Sequence, residues 1–340
     1  MRLTGTRCVA LHEGLCSIQR ALGESYLSNM CSTFPRNLNF TGGVVERSLS
    51  LSCPEAARLV LTDPEAMVFE DFEEEGLLQG SRFLGPVDGK PQARLPEIQS
   101  LVIRFIRERS RPLWQRIGSL GLAVGDLGGL EGDRAVAVLE NRLSRFREGS
   151  LDEFPESRAD TTAIQLEGVL ELILARIGVE YTSPRFLECY SEFMQGLRWT
   201  GESTMEELAG RYRDAFRCYF QPFMRRHEHL LENYLANYAF RTLFPYGRRL
   251  PDQRLTIDTS GEAMRDAFLL LACHYAIIRT VLIGMAALHE RSLDVSHAVK
   301  LVQSCTKAFQ HSSSVAATML QVLSRQFGDP VRGAIVVIMD

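Results

Sequence analysis

The stretch that decides the fold is 267–288, AFLLLACHYAIIRTVLIGMAAL, in which almost every residue is apolar. A helix of about 20 apolar residues is long enough to cross a bilayer. However, His274 and Arg279 lie inside this stretch, and an Arg near the centre of a membrane span costs about 2.5–3.5 kcal/mol on insertion. The stretch therefore predicts a central helix that other helices bury on all sides, with no membrane insertion.

The sequence outward from this stretch is typical of amphipathic helices. From residue 96 onward, apolar side chains recur at three- and four-residue steps, beginning with Ile98, Leu101, Val102, Phe105 and Ile106. The same periodicity predicts helices over 131–147, 161–177, 184–197, 203–220, 223–244, 261–289, 293–310 and 313–327. Only 334–339, AIVVIM, is strand-like, and so short a run is ambiguous. The pattern predicts an all-α protein, with a multi-helix bundle over 96–340.

The first 62 residues differ from this helical part. They contain four of the eight cysteines, which are Cys8, Cys16, Cys31 and Cys53. We therefore expect a small cysteine-bearing, loop-rich N-terminal module over 1–62. Residues 63–95 contain an acidic run at 70–75, followed by glycines and prolines, and this composition predicts a linker to the helical domain over 96–340.

Composition excludes several classes of protein. The 340 residues are 45% hydrophobic and 24% charged, which is typical of a globular protein and not of a disordered one. The net charge of −4 gives no overall attraction to nucleic acid, so no nucleic-acid partner is expected. No apolar run of signal-peptide length follows Met1, which favours a cytoplasmic location. In that reducing compartment, clustered thiols indicate a metal more than disulfides.

The spacing of the four N-terminal cysteines leaves two interpretations open. The pattern is Cys8-x7-Cys16-x14-Cys31-x21-Cys53. Structural zinc sites and iron–sulfur runs usually contain ligand pairs two to four residues apart, and no pair here is so close. The four thiols are either metal ligands or small apolar side chains in a protein interior.

A second candidate site lies in 219–246, which contains 8 aromatic residues in 28. On a helical wheel one stripe contains both apolar and polar side chains, namely Phe223, His227, Leu230, Asn233, Tyr234, Asn237, Arg241 and Phe244. Burying an unpartnered polar group costs about 1–3 kcal/mol. These polar groups therefore either form a satisfied network in the core or line a pocket.

Five blocks of the sequence, in the same order, resemble the bacterial flagellin lysine-N-methylase family. They are GLCSIQRALGESYLSNMCSTFPR (14–36), ERSLSLSCPEAARLVL (46–61), HLLENYLANYAFRTLFPYG (229–247), HYAIIRTVLIGMAA (274–287) and LVQSCTKAFQH (301–311). The resemblance implies methyl transfer to the ε-amines of flagellin lysines, with S-adenosylmethionine as the donor. It also implies an iron–sulfur cluster or zinc held by Cys8, Cys16, Cys31 and Cys53. The resemblance also implies a further, tightly spaced cysteine motif upstream of the Cys8 block. Because this sequence begins almost at Cys8, we expect either that the start codon was assigned too late or that part of the implied metal site has been lost.

The chemistry of such a reaction assigns roles to the polar stripe. A lysine amine has an ordinary pKa of about 10.4, so a pocket must favour its neutral form and align it with the donor. Aromatic faces attract sulfonium and alkylammonium cations. We therefore predict Tyr234 and Asn237 as catalytic residues, and Asn233 and Arg241 as donor-binding residues, with Arg241 holding a carboxylate. The alternative is a non-catalytic helical protein that binds a metal or flagellin.

Overall fold

The structure, a computed structural model, describes residues 3–4, 7–41, 44–73, 95–147, 160–177, 183–250, 255–310 and 313–340. Most of the predicted linker, 74–94, lies outside the described residues, so the predicted domain boundaries stay predictions. The helical domain contains α4 (Leu95–Ile106), α5 (Leu113–Gly125), α6 (Gly132–Arg147), α7 (Thr162–Ile177), α8 (Pro184–Gly196), α9 (Met205–Ala215), α10 (Gln221–His227), α11 (His229–Thr242), α12 (Gly261–His289), α13 (Val295–Phe309), α14 (Ser313–Gln326) and α15 (Pro330–Ile338).

Helix α12 is the centre of the domain, as its apolar sequence predicts. It packs against α5, α7, α8, α9, α13, α14 and α15. In the part of the chain that the structure describes, Gly261–Ser292 is the one helical stretch long and apolar enough to cross a membrane. Because 94% of its most apolar window is buried inside the protein, this stretch is the core helix of the bundle.

The ambiguous run 334–339 is helical, so its strand-like appearance is misleading. It belongs to α15, which begins at Pro330 after Asp329. The Asp329 carboxylate accepts hydrogen bonds from the backbone N–H groups of Val331 and Arg332, and Pro suits the first helical turn. The apolar run is buried because α15 packs between α5, α7 and α12. A cap and a place in the bundle therefore decide the conformation of this run.

The N-terminal module contains short hairpins and short helices. Antiparallel pairs join β1 (Leu3–Thr4) to β2 (Arg7–Cys8), β3 (Leu11–His12) to β4 (Leu15–Cys16), and β5 (Arg36–Thr41) to β6 (Val44–Leu49). The helices of the module are α1 (Ser17–Leu22), α2 (Asn29–Thr33) and α3 (Pro54–Thr62). A fourth pair, β7 (Gly247–Arg249) with β8 (Leu255–Ile257), lies in the helical domain. The fold is all-α with small two-stranded sheets, which confirms the predicted class.

Buried amides attach the N-terminal module to the helical domain. Helix α3 packs on α11 and α13, and β6 packs on α11. Asn39 donates its side-chain N–H to the carbonyl of Arg241 at 3.1 Å, and Gln303 donates to the carbonyl of Ser52 at 2.7 Å. Since both amides are at most 5% exposed, these bonds are formed in a low-dielectric interior.

Candidate functional site

The aromatic-rich stretch 219–246 folds as two helices and not as one. Helix α10 ends at His227 and α11 begins at His229, with Glu228 between them. Helix α11 ends where Leu243 takes a left-handed conformation, with φ of 57°. The predicted stripe is therefore divided, and its four candidate residues all lie on α11.

Asn233 and Asn237 are both buried, but neither lines a described cavity. The Asn233 amide donates to the carbonyls of Val60, at 2.9 Å, and Asp63, at 2.8 Å. These carbonyls are at the end of α3, so Asn233 satisfies orphan groups of that helix terminus. Asn237 is 5% exposed and makes no side-chain hydrogen bond to any described residue.

Tyr234 and Arg241 meet at the side chain of Gln310. The amide N–H of Gln310 donates to the Tyr234 hydroxyl at 2.8 Å, and the Arg241 guanidinium donates to the Gln310 oxygen. Burial raises the pKa of Tyr234 well above its ordinary value, so its hydroxyl stays protonated. Two residues predicted separately, one catalytic and one donor-binding, thus belong to one hydrogen-bonded network.

Arg241 and Gln310 line a narrow cleft, here called the Arg241 cleft, with a cavity volume of about 70 Å³. Tyr238, His274 and Phe309 also line it. The Nδ1 atom of His274 is 2.6 Å from the carbonyl oxygen of Leu270, whereas its buried Nε2 atom has no partner in the described part of the chain. Burial lowers the pKa of His274 to about 4, so the ring is neutral at pH 7.

A larger cleft lies at the other end of α11, where α5, α10 and α12 meet. This Trp114 cleft has a cavity volume of about 350 Å³, within the usual range of about 300–1,000 Å³ for ligand sites. Its aromatic walls are Trp114, Phe216, Phe220 and Tyr275. Its charged lining consists of Arg109, Arg111, Arg225, Glu228 and Asp340.

Two of these charged residues belong to a buried ion network around Glu232. The Glu232 side chain is fully buried and accepts hydrogen bonds from Arg109, at 2.8 and 3.1 Å, and from Arg116, at 3.1 Å. Arg116 is 1% exposed and also pairs with Glu228, which lines the cleft. The network links the start of α11 to α5 and to Arg109 in the lining of the Trp114 cleft.

The opposite side of the Trp114 cleft is formed by α12. Arg279, which is 3% exposed, donates to the Asp340 carboxylate at 2.8 Å. Its guanidinium carbon is also 5.3 Å from the centre of the Phe216 ring, a cation–π distance. A buried cation thus holds in place both a carboxylate and an aromatic wall of the cleft.

The sequence analysis did not predict the Trp114 cleft. Phe216–Phe220 forms a π-helical turn, and such turns occur frequently at functional sites. The sequence does not reveal this turn, because five residues are too few to show a change of hydrophobic period. The detectable signals were the aromatic density of 219–246, which begins beside Phe220, and the polar residues inside 267–288, which include Tyr275 and Arg279.

The four N-terminal cysteines do not form a metal site in the described structure. Cys8, Cys16 and Cys53 are half-buried, Cys31 is exposed, and all four are free thiols. Among the residues that the structure describes, no group of three or more His, Cys, Asp or Glu side chains is placed to hold an ion. A structural zinc or iron–sulfur site needs four such donors together, so the residues as placed do not fit the implied metal.

Comparison with known proteins identifies the chain. The model of the FliB lysine N-methylase C-terminal domain matches residues 99–331. The lysine-N-methylases of Salmonella choleraesuis (strain SC-B67) and Salmonella typhimurium (strain LT2) are each 24% identical over 312 residues, 89% of this chain and 73% of the relative. The flagellar biosynthetic protein FliU of Salmonella muenchen is 47% identical over 53 residues, 16% of this chain and 31% of that protein. No solved structure matches.

These matches first define the class: the chain is a lysine N-methyltransferase. Because the family model covers more than half of the chain, the chain belongs to the FliB lysine N-methylase family. The matched segment, 99–331, contains every lining residue of the Trp114 cleft except Asp340.

Proposed function

We propose that this enzyme methylates the ε-amines of flagellin lysines, with S-adenosylmethionine as the donor, and that the reaction takes place in the Trp114 cleft. A flagellar substrate is supported by the name of one relative, flagellar biosynthetic protein FliU. The proposed compartment is the cytoplasm. All eight cysteines are free thiols in the structure, which is typical of a reducing environment.

The observation that carries the proposal is the lining of the Trp114 cleft. Four aromatic side chains line this cleft, which has a volume of about 350 Å³. Aromatic faces attract both a sulfonium and an alkylammonium cation, with about 0.5–2 kcal/mol for each contact. The apolar faces of these rings lower the local dielectric, and a desolvated amine loses its proton more easily than one in water. Both reactants of a methyl transfer therefore fit this environment.

The mouth of the cleft suits the polar end of the donor. Arg111 has no partner among the described residues, and Arg225 makes only a long contact of 3.4 Å to Gln221. Guanidinium groups bind carboxylates in a two-pronged geometry. We assign these two residues to the amino-acid carboxylate of the donor, whose sulfonium supplies the electrophilic methyl group.

The Arg241 cleft is too small to hold that donor. Its volume of about 70 Å³ is well below the range of about 300–1,000 Å³ for small-molecule sites. The roles predicted for Asn233, Tyr234, Asn237 and Arg241 stay predictions, and they compete directly with the assignment to the Trp114 cleft. Measuring methylation by variants at the Arg241 cleft and at the Trp114 cleft therefore distinguishes between the two assignments.

The experiment compares methylation of purified flagellin by four forms of the full chain: wild type, Trp114→Ala, Tyr234→Phe and Asn237→Ala. We expect Trp114→Ala to lower turnover about tenfold or more, since it removes a cation-binding wall. Calorimetry should show weaker donor binding in the same variant. Tyr234→Phe and Asn237→Ala should retain turnover, while circular dichroism confirms that every variant is helical.

Two results would contradict the proposal. Loss of turnover in Tyr234→Phe and Asn237→Ala, with normal turnover in Trp114→Ala, would move the reaction to the Arg241 cleft. A wild-type protein that neither binds S-adenosylmethionine nor methylates flagellin would overturn the donor and the substrate together. That result would support a non-catalytic, flagellin-binding role only if the wild-type protein still bound flagellin.

A further inference from the structure

The Arg241 cleft contains a buried hydrogen-bond acceptor that has no partner in the described part of the chain. This acceptor is the Nε2 atom of His274, a residue in the middle of α12 that is 4% exposed and lines the cleft. The other ring nitrogen, Nδ1, is 2.6 Å from the carbonyl oxygen of Leu270. Because a carbonyl oxygen only accepts, Nδ1 carries the proton of the neutral ring and Nε2 carries a lone pair. A buried lone pair of this kind is satisfied by a donor that comes from outside the protein.

Protein donors reach the carbonyl groups at the helix ends that border the cleft. At the end of α11, the carbonyl of Phe240 accepts from the side chain of Gln99 at 3.0 Å. At the end of α13, the carbonyl of Ala308 accepts from the Arg176 guanidinium at 2.6 Å. These carbonyls differ from the imidazole nitrogen in the cleft, which the fold supplies with no donor among the described residues.

The charge that lines the cleft is positive. Arg241 is the one residue of the described lining that is charged at pH 7, since this lining contains no Asp or Glu and His274 is neutral. The Arg241 charge acts on the interior of the cleft, because burial and this charge both lower the pKa of His274. An anion in the cleft is attracted by the same charge, whereas a cation is repelled. The lining therefore selects a ligand that is negatively charged.

The volume of the cleft, about 70 Å³, limits the ligand to a small ion. One water molecule needs about 10–15 Å³ of such space, so an ion of about four or five heavy atoms fits. Some oxyanions of this size keep a proton at neutral pH, as bicarbonate and dihydrogen phosphate do, whereas formate and nitrate have no O–H group. The first kind alone brings both a negative charge for Arg241 and a donor for the His274 lone pair.

We infer that the Arg241 cleft binds a small oxyanion that retains an O–H group, with this group donating to His274 Nε2 and the negative oxygens facing the Arg241 guanidinium. The shared chemistry has two sources, bicarbonate and phosphate. The inference goes beyond the proposed function and does not depend on where methyl transfer takes place. Because α11, α12 and Phe309 at the end of α13 all line the cleft, the bound ion joins three helices of the bundle.

The test is calorimetric titration of the full chain at pH 7 with four anions at constant ionic strength. Bicarbonate and phosphate carry an O–H group, and formate and nitrate are the matched oxyanions without one. We expect saturable, millimolar binding of bicarbonate or phosphate, and the tighter of the two identifies the source. Formate and nitrate should bind about tenfold more weakly or not at all, because they leave the buried Nε2 atom without a donor.

Two variants separate the lone pair from the charge. His274→Phe keeps a ring of similar size and removes the lone pair, and Arg241→Gln removes the charge. Each should weaken binding of the preferred anion about tenfold or more. The matched control is His229→Phe, which removes another partly buried imidazole at the start of α11, outside the lining of the cleft. This control should bind the anion as wild type does.

Thermal unfolding gives a second measurement that does not compare the stabilities of different variants. A ligand that binds only the folded protein raises its melting temperature. The preferred anion should therefore raise the melting temperature of wild type and of His229→Phe, each measured against the same protein without the anion. The melting temperature of His274→Phe should be the same with and without it.

Four results would overturn the inference. Binding of none of the four anions would show that the cleft holds solvent only. Equal affinities for all four would show attraction by charge alone, without the His274 lone pair. Displacement of the bound anion by S-adenosylmethionine would place the anion in the donor site. Equal loss of binding in His229→Phe would show an effect of removing any imidazole. None of these measurements uses flagellin methylation, so failure of the proposed function is recognised separately.

Discussion

At the scale of single residues, Glu232 shows how much of the candidate site depends on buried charge. Its carboxylate has no solvent exposure, and two arginines donate to it. A buried ion pair is expensive to desolvate, and removing one member is worse because the other is then left uncompensated. Here Arg116, which is 1% exposed, would lose one of its two carboxylate partners and keep only Glu228.

Glu232→Gln should therefore lower the free energy of unfolding by about 3–5 kcal/mol. The variant keeps the size and shape of the side chain, so the loss reports on charge and not on packing. Urea denaturation followed by circular dichroism measures it. The control is Glu55→Gln, which breaks an exposed pair with Arg58 and should leave the midpoint unchanged. Equal midpoints for Glu232→Gln and wild type would show that the network adds nothing to stability.

At the scale of elements, α11 shows both what its sequence predicts and what it does not. The 3.6-residue period places Asn233, Tyr234, Asn237 and Arg241 on one face, and all four are at most 7% exposed. The hydrogen-bond partners of these side chains could not be predicted from the sequence. The carbonyl of Val60 is 173 residues from Asn233 and the Gln310 amide is 76 residues from Tyr234. Periodicity identifies the buried face of a helix, but not the distant group that meets it. The choice between core network and pocket therefore needed the structure.

Strand β6 contains a group that should make stability depend on pH. Burial of Glu46, on β6, raises its pKa from 4.5 to about 7. A raised carboxyl pKa means that the folded state binds the proton more tightly than the unfolded chain. The contribution of Glu46 is therefore fully present below pH 4.5 and is lost as pH rises toward 7.

Glu46→Gln replaces the carboxyl with a neutral group of the same size. We expect it to be more stable than wild type at pH 8 by about 1–2 kcal/mol, a figure reduced for the partial exposure of the side chain. The difference should shrink steadily as pH falls and should be smallest near pH 4.5. Taking the difference between the two proteins at each pH cancels other titrating groups, such as His274. If the difference in stability between Glu46→Gln and wild type stayed constant from pH 4.5 to 8, the assignment of the pH dependence to Glu46 would be contradicted.

At the scale of the whole molecule, the apolar stretch 267–288 was sufficient to predict the centre of the fold, but the N-terminal module was not predictable to the same depth. A long buried helix has a continuous apolar signal, whereas hairpins with strands as short as two residues have none. The candidate metal ligands, Cys8, Cys16, Cys31 and Cys53, were suggested by their clustering and by the family resemblance. The spacing of cysteines along the sequence does not determine whether their side chains meet in the fold. Among the described residues, no three possible ligand side chains lie close enough to hold an ion.

The assembly of the molecule around α12 depends on one close helix crossing. Gly284 of α12 and Gly196 of α8 face each other, and a Cβ on Gly196 would overlap the carbonyl oxygen of Gly284. A Cβ on Gly284 would in turn overlap the Phe193 side chain and approach its backbone. Because a helix cannot yield locally in a dense core, an added methyl must push the two helices apart.

Gly284→Ala should therefore lower the free energy of unfolding by about 3 kcal/mol, the upper part of the range for overpacked cores. The matched control is Gly210→Ala on α9, where the nearest atom to the new methyl is the flexible end of Arg213 at 3.9 Å. That change should raise stability by about 0.5–1 kcal/mol, because Ala favours a helix over Gly. Thermal unfolding shows whether each variant is less or more stable than wild type. If Gly284→Ala melted at or above the wild-type temperature, the crossing of α8 and α12 would not be as close as the structure has it. The position of α12, on which both clefts depend, would then need revision.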